Sequence, residues 1–462
     1  MMKAKSVFFI LLLLVAGIYA QDRRPPVNVK NTALDARLDI YLRPFVTTNN
    51  FSGVLFISRG DRILYQRAYG LANPDFAIPN TPQTRFHIAS LSKSFTAAAI
   101  LLLEERGKLS TSDPVSKFLP GYPNGDKICL EHLLTHNSGI PNVNNFPEYE
   151  RASRFPQTPE SLVALFKDKP LDFEPGTRFR YSNSNYNLLA LIIEKLSGQS
   201  YGDFLKVNIF DPLQLTATSD DGDATRIIPN RASGTEPDGL RAVKYVPYLD
   251  WSSKTGNGSL VTTAPDLCTF ARALFGGKLL KPASLAKIMQ PGPAFPYGWS
   301  DRESAGHKSK GVGGRSPGFI SNVEYFPADG TCIAILTNSY SSVGQVIAPD
   351  ISAIVFGQPA TPPPVAYVRP RPGQLAPFTG RFQMPENYYA PGAILTLHDR
   401  GDYLEGTWSN ASTTIIYPAG GDNFVDRTNW ALVRFTRDPA GQITGFTYNL
   451  LQTFSARKLP PQ

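Results

Sequence analysis

Ser90 and Lys93 stand three positions apart in the stretch FHIASLSKSFTAAAILLLEERG, residues 86–107, a spacing that puts both on one face of a helix. The serine lies where that helix would begin, and backbone N–H groups there have no intrahelical partner. A carbonyl attacked by the Ser90 hydroxyl would place its oxyanion near those donors and the favourable end of the helix dipole. Lys93 adjoins the apolar run 97–103, where an amine has to be solvated, paired or kept neutral. A neutral amine can take the proton of the serine. A second constellation, FRYSNSNYNLLALI, holds Tyr181 and Asn183 in Tyr-x-Asn spacing. A tyrosine beside a buried ammonium can have its pKa lowered and relay protons to a leaving group, while an asparagine can hold lysine and substrate.

Each motif has copies that the context separates. Ser-x-x-Lys recurs at Ser284 with Lys287 and at Ser455 with Lys458, one in an ordinary short helix start and one near the chain end. Only Ser90 opens a long apolar helix. Tyr122 with Asn124 repeats the Tyr-x-Asn spacing around Pro123 and reads as a plain turn. Gly314-Arg315-Ser316-Pro317-Gly318 matches the nucleophile elbow Gly-x-Ser-x-Gly, but the elbow uses the N–H of the residue after the serine, and proline has none. His132 and His136 are four apart and could in principle share a metal, yet the zincin pattern needs glutamate where Leu133 stands. A structural role with a ring nitrogen bonded to backbone is the better reading. No metal site and no cofactor is expected.

The elements that must hold these groups follow from pattern. The first twenty residues, MMKAKSVFFILLLLVAGIYA, have two lysines, an apolar run and small residues, the layout of a secretory signal. The mature chain is expected to begin at Gln21, outside the cytoplasm (secreted or periplasmic) and without a membrane span; an uncleaved anchor is the alternative. Net charge is +8, falling by the two signal lysines to +6. That mild, dispersed excess does not point to nucleic acid. Three cysteines, Cys129, Cys268 and Cys332, are odd in number and far apart, and read as small buried side chains. Residues 31–46 suggest an amphipathic helix. FSGVLFISRGDRILYQRAYG and GFISNVEYFPADGTCIAILTN read as hairpins, with helical and loop-rich sequence between them. Strands at both ends and helices in the middle describe an antiparallel sheet with a helical insertion. Residues 358–377 are a proline-rich linker, and residues 378–462 hold short strands with Gly, Asn and Asp turns, a small barrel-like or sandwich domain.

SLSK, LLTHNSGIP (133–141), EPGTRFRYSNSNYNLLALIIEKLSG (174–198), DPLQLTATSD (211–220) and YGWSD (297–301) together resemble the class C β-lactamase-related serine hydrolases. That group includes D,D-carboxypeptidases, D-aminopeptidases, β-lactamases and carboxylesterases. The resemblance implies an α/β (α+β) fold, a β-lactamase/transpeptidase-like sheet flanked by helices over 21–357, followed by the all-β domain. It implies Ser90 as the acylated nucleophile, Lys93 and Tyr181 as the proton-handling pair, and Asn183 as their hydrogen-bonding partner. Whether lysine or tyrosine is the kinetic base stays open. The family's third element is a strand-borne Lys-Thr-Gly or His-x-Gly. A literal Lys-Thr-Gly, Lys254 to Gly256, precedes a loop leading into a helix; the matching strand instead carries Val312-Gly313-Gly314. Gly313 and Gly314 would keep bare backbone close to substrate, and the Arg315 N–H would be the second oxyanion donor. Valine cannot receive the carboxylate of a β-lactam or a D-Ala-terminated peptide. Lys310, His307 or the Arg315 side chain could stand in, but the simpler reading is a neutral ester or amide substrate. The alternative is a cell-wall-peptide or penicillin-binding protein that acylates without turning over.

Overall fold

The computed structural model describes residues 32–290, 296–361, 367–388, 390–450 and 452–460. The expected signal, residues 1–20, and the expected start at Gln21 lie outside them. The strand Gly53–Arg59 (β1) shows how the sheet is covered. Its residues GVLFISR are buried up to the last, as a continuous apolar run requires when helices cover both faces. Successive side chains point to opposite sides. Val54 and Phe56 therefore join the core built with the helix Ser92–Glu105, while Leu55 and Ile57 join the helices Thr32–Thr47 and Ala348–Val355.

The sheet has six antiparallel strands: β1, Arg62–Tyr69 (β2), Ser300–Ser304 (β3), His307–Ser316 (β4), Phe319–Phe326 (β5) and Thr331–Thr337 (β6), in the order β3-β4-β5-β6-β1-β2. β6 pairs with β1 so that Gly53 faces Thr337 and Arg59 faces Thr331. The two chain ends of this region thus meet at the sheet centre, as the order of strands and helices predicts. β3 stops pairing at Gly311. Beyond it β4 has only β5 as a strand neighbour, and its other edge faces the turn that carries Ser90.

Every residue of the Ser92–Glu105 helix through Leu103 is buried. A helix with no polar face belongs in the middle of a domain. It ends where Gly107 adopts φ 67° and donates its N–H to the Glu104 carbonyl at 2.9 Å, a left-handed stop that glycine takes without steric cost.

Cys268 and Cys332 correct one expectation. Both are buried, but they join the helix Ala264–Phe275 to β6 as a disulfide with Cα atoms 5.8 Å apart, 64 residues apart in sequence. Pairing is invisible to spacing because a helix and a strand that meet in space supply one cysteine each. Cys129 is left as a free thiol. A loop of that length should contribute about 4 kcal/mol by restricting the unfolded chain. The double variant Cys268→Ala/Cys332→Ala is expected to melt several degrees lower, and added reductant to lower the wild type alone. Equal melting of the two proteins under oxidising conditions would refute it.

The C-terminal strands, from Gly380–Gln383 to Thr453–Lys458, close into an eight-stranded barrel. Closure pairs Phe382 with Lys458 and Gln383 with Arg457. The strand Ala431–Arg437 alternates buried and exposed residues at its start, the period that puts every second side chain inside a barrel. Phe382, Phe424, Phe435 and Phe446 fill the interior. Trp430 leaves it and packs against Phe45 of the first helix, ring centres 5.0 Å apart. No helix among the described residues is long and apolar enough to cross a membrane.

Candidate active site

Ser90 lies in a single 3-10 turn, Ala89–Leu91, that leads into the Ser92–Glu105 helix. Ala89 holds φ 49°, a left-handed conformation that a non-glycine residue keeps only when its surroundings enforce it. One turn on, Lys93 is 2% exposed. Its Nζ lies 3.1 Å from Ser90 Oγ, 2.8 Å from Asn183 Oδ1 and 2.8 Å from the Asn257 carbonyl. Tyr181 donates its hydroxyl to Ser90 Oγ at 2.7 Å. Sequence positions 90, 93, 181 and 183 therefore converge on one point.

Burial sets the protonation pattern. Lys93 is held well below the ordinary lysine range, first by loss of solvent and then by the charge of Lys254. Tyr181 moves the other way, pushed up to about 12 by burial against a smaller opposing effect of its bond to Ser90. The expectation of a lowered tyrosine pKa is corrected here: the cost of burying a phenolate outweighs what its neighbours return. Burial thus works against the charged ammonium of Lys93 and against the phenolate of Tyr181 alike.

The supports explain the geometry. The helix Asn183–Ser197 begins immediately after Tyr181. Asn183 takes Asn142 Oδ1 on its backbone N–H at 3.0 Å, and its side-chain amide donates to Asn144 Oδ1 at 2.8 Å, which leaves its carbonyl for Lys93. His136 is fully buried, accepts the Ser182 N–H at 3.2 Å through Nδ1, and lies 4.4 Å from the Tyr181 ring. Burial and the neighbouring Lys93 lower its pKa to about 3. His132 likewise accepts a backbone N–H, from Cys129 at 3.3 Å. Both histidines make the backbone bonds expected of structural residues.

The strand motif divides. A Cβ on Gly314 would stand 2.1 Å from the Ile88 carbonyl oxygen and 3.0 Å from the Ser90 nitrogen, so only glycine lets β4 approach the Ser90 turn. Gly313 projects the other way, where a Cβ would meet the Gln345 side chain at 2.8 Å. Val312 is buried. The three side chains that could have supplied a cation in its place are engaged elsewhere. Lys310 pairs with Asp301 at 2.7 Å, His307 stacks on Phe356 at 3.8 Å, and the Arg315 guanidinium bonds Ser342 Oγ at 2.5 Å above the Tyr340 ring.

The copies fall apart in space. Lys287 pairs with Glu104 at 2.7 Å, and Ser455 and Lys458 lie on the last barrel strand. Ser316 is buried and its hydroxyl meets no partner among the described residues. Lys254, of the literal Lys-Thr-Gly, lies in a 3-10 turn rather than on a strand. That segment nevertheless borders the site, through the Asn257 carbonyl and the Lys254 charge. Sequence reasoning set Lys254 aside with its literal motif, and missed Asn257, Asn142 and Asn144. The Asn-x-Asn spacing of the last two was the one available signal.

An open pocket of about 460 Å³ has Trp251, Phe319, Tyr245 and Tyr248 among its walls. His87 and Trp251 stack in it at 3.6 Å. Arg231 reaches it through one nitrogen shared by both Asp221 oxygens, at 2.8 and 2.6 Å. Its walls are continuous in sequence with the site: His87 precedes Ser90 by three residues, Trp251 begins the turn that ends at Lys254, and Pro317 follows β4.

A family profile described as Beta-lactamase matches residues 38–353. Over 323 residues the chain is 34% identical to PbpX, a Bacillus subtilis (strain 168) protein named for penicillin binding, covering 69% of this chain and 78% of that one. Among solved structures, the D-stereospecific amidohydrolase from Streptomyces sp. aligns with a TM-score of 0.58 at 27% identity, over 67% of this chain and 95% of its own. The octameric penicillin-binding protein homologue from Pyrococcus abyssi shares the fold over 93% of this chain and 100% of its own, with a TM-score of 0.63 at 22% identity.

Proposed function

The chain belongs to the beta-lactamase family, and on that premise we propose that it hydrolyses uncharged esters or amides through an acyl-enzyme on Ser90. The observation that carries this reading is Ser90 Oγ, 3.1 Å from Lys93 Nζ and 2.7 Å from the Tyr181 hydroxyl. A neutral amine has two N–H bonds and one lone pair. Asn183 Oδ1 and the Asn257 carbonyl accept the two N–H bonds, so the lone pair is left to face the serine. Tyr181 keeps its own proton and donates it to the same oxygen. This inventory favours Lys93 as the base and Tyr181 as the acid.

Attack then forms the bond from Ser90 Oγ to the carbonyl carbon while the serine proton passes to Lys93. The backbone N–H groups of Ser90 and Arg315 hold the oxyanion. Tyr181 protonates the departing alcohol or amine and recovers a proton from Lys93. The same pair then draws a proton from the water that releases the acid. The aromatic pocket beside His87 receives the acyl side of the substrate. Engagement of Lys310, His307 and Arg315 elsewhere supports an uncharged substrate over a β-lactam. The signal-like residues 1–20 and the Cys268–Cys332 disulfide both support a secreted or periplasmic protein, since such bonds persist in oxidising compartments.

Intact-mass analysis after mixing with an aryl ester, a D-aminoacyl amide, a cephalosporin and a fluorophosphonate tests this reading. The expected result is one fluorophosphonate adduct on Ser90, with steady turnover of the ester or the amide. A cephalosporin adduct that persists for hours without ester or amide turnover would instead identify a penicillin-binding protein that stalls after acylation. No adduct on Ser90 would end the acyl-enzyme reading.

A further inference from the structure

Arg427 belongs to the barrel but is fully buried against the hydrolase region. Its guanidinium is gathered by oxygens from two distant segments. Nε donates to Asn50 Oδ1 at 2.8 Å and Nη2 to the Thr48 carbonyl at 2.7 Å, while Nη1 donates to the carbonyls of Asp238 at 3.0 Å and Gly239 at 2.5 Å. Asp238 and Gly239 form the tip of the hairpin Thr235–Asp238 with Ala242–Tyr245, and Tyr245 of that hairpin lines the aromatic pocket. The loop that presents Arg427 is rigid for a stated reason. Asp426, fully buried in the barrel, accepts the N–H groups of Thr428 and Asn429 at 2.9 Å each and the Tyr448 hydroxyl at 2.7 Å.

The same loop reaches the strand beside the nucleophile. The Thr428 carbonyl accepts the Ser342 N–H at 3.0 Å, and Ser342 Oγ accepts the Arg315 guanidinium. Asn429 Oδ1 lies 3.4 Å from a second Arg315 nitrogen. Past Gly311 this part of β4 is an edge strand with one neighbour. An edge strand that must hold a backbone donor against Ser90 to within a fraction of an ångström needs support from behind. The barrel loop supplies it.

We propose that the barrel loop 426–430, through Arg427 and Asn429, positions the Arg315 end of β4 and the hairpin wall of the acyl pocket for the chemistry at Ser90. The proposal rests on the acyl-enzyme reading and gives the barrel a role in the rate rather than in covering the fold. Arg427 and Asn429 are positioning residues, since neither reaches the nucleophile.

The test uses the full chain with Arg427→Gln, Asn429→Ala and the barrel-core control Phe446→Leu. Active sites are first titrated to completion with fluorophosphonate, so that unfolded molecules drop out of every rate. The acylation rate constant for an aryl ester is then measured per titrated site. Misplacing a catalytic backbone donor should cost roughly tenfold or more in Arg427→Gln, with a smaller loss in Asn429→Ala. The acidic limb of the pH profile should stay put in both, because Lys93 is untouched. Phe446→Leu should lower the melting temperature and leave the per-site rate alone. Losses in the double variant should fall short of the product of the two single losses, since both side chains belong to one loop. Wild-type acylation rates per titrated site in both loop variants would overturn the proposal while leaving the acyl-enzyme reading intact. A wild-type protein that takes no label on Ser90 would remove both. If Arg427→Gln does not fold, Asn429→Ala decides alone: its residue is only half-buried, and an unchanged rate there overturns the proposal.

Discussion

Ser90→Ala is expected to lose turnover by roughly 10⁴-fold or more while folding normally, because removal of a nucleophile that acts with its base and acid as one unit abolishes nearly all that the unit contributes. The fold should survive. The hydroxyl is partly exposed at the mouth of the helix, and the bonds that fix the turn are made by backbone and by neighbours rather than by Oγ. Steady-state hydrolysis of an aryl ester, with circular dichroism and melting as controls, reads both quantities. Full activity in this variant would refute the assignment. Loss of activity in Ser316→Ala with retention in Ser90→Ala would transfer the role to the elbow-like serine, which lies buried, its hydroxyl without a hydrogen-bond partner among the described residues.

The pH dependence carries the second large effect. A base must be unprotonated to work, and Lys93 is protonated below its pKa, so activity should rise with pH through the depressed lysine pKa and then level off. Its protonation is set by burial and by Lys254. The other titratable groups at hand leave that limb alone: His136 sits at about 3 and Tyr181 at about 12, and Tyr186 lies well above the ordinary tyrosine range. No falling limb is therefore expected below about pH 10. Replacing Lys254 by methionine removes the second cause of the depression. The Lys93 pKa should rise and the acidic limb should move to higher pH. Lys93→Met itself should lower kcat by roughly 10³-fold. A profile unmoved in Lys254→Met, or a Lys93→Met enzyme near wild-type rate, would assign the base elsewhere.

The two effects differ in what they test. The serine variant asks which atom carries the acyl group, and the pH series asks what sets the pKa of the amine beside it. A solvated lysine would pass the first test by accident and fail the second.

Much of this site is legible along the chain because its parts are local. Ser90 and Lys93 share a helix face through spacing alone, and residues 97–103 announce that the face is dry. Tyr181 and Asn183 are tied by one intervening residue. The Pro317 that disqualifies Ser316 is equally local. The sheet follows from strand runs at the two ends of the region, since a continuous apolar run such as β1 has nowhere to go but between two layers of helices. The small C-terminal strands with Gly and Asn turns already read as an all-β unit.

What the chain order could not supply are contacts between segments that sequence spacing leaves independent. The Cys268–Cys332 bond depends on a helix crossing a strand. The depressed pKa of Lys93 depends on burial and on Lys254, more than 160 positions away. The sense of the Tyr181 shift reverses because burial of the phenolate dominates it. Arg427 lies 377 positions from its Asn50 partner. The physical reason is common to all four: secondary structure and motif chemistry are set by near neighbours, whereas desolvation and long-range polar pairing exist only once the chain has closed on itself. Local pattern determined which groups this protein uses, and packing decided their charge and their alignment.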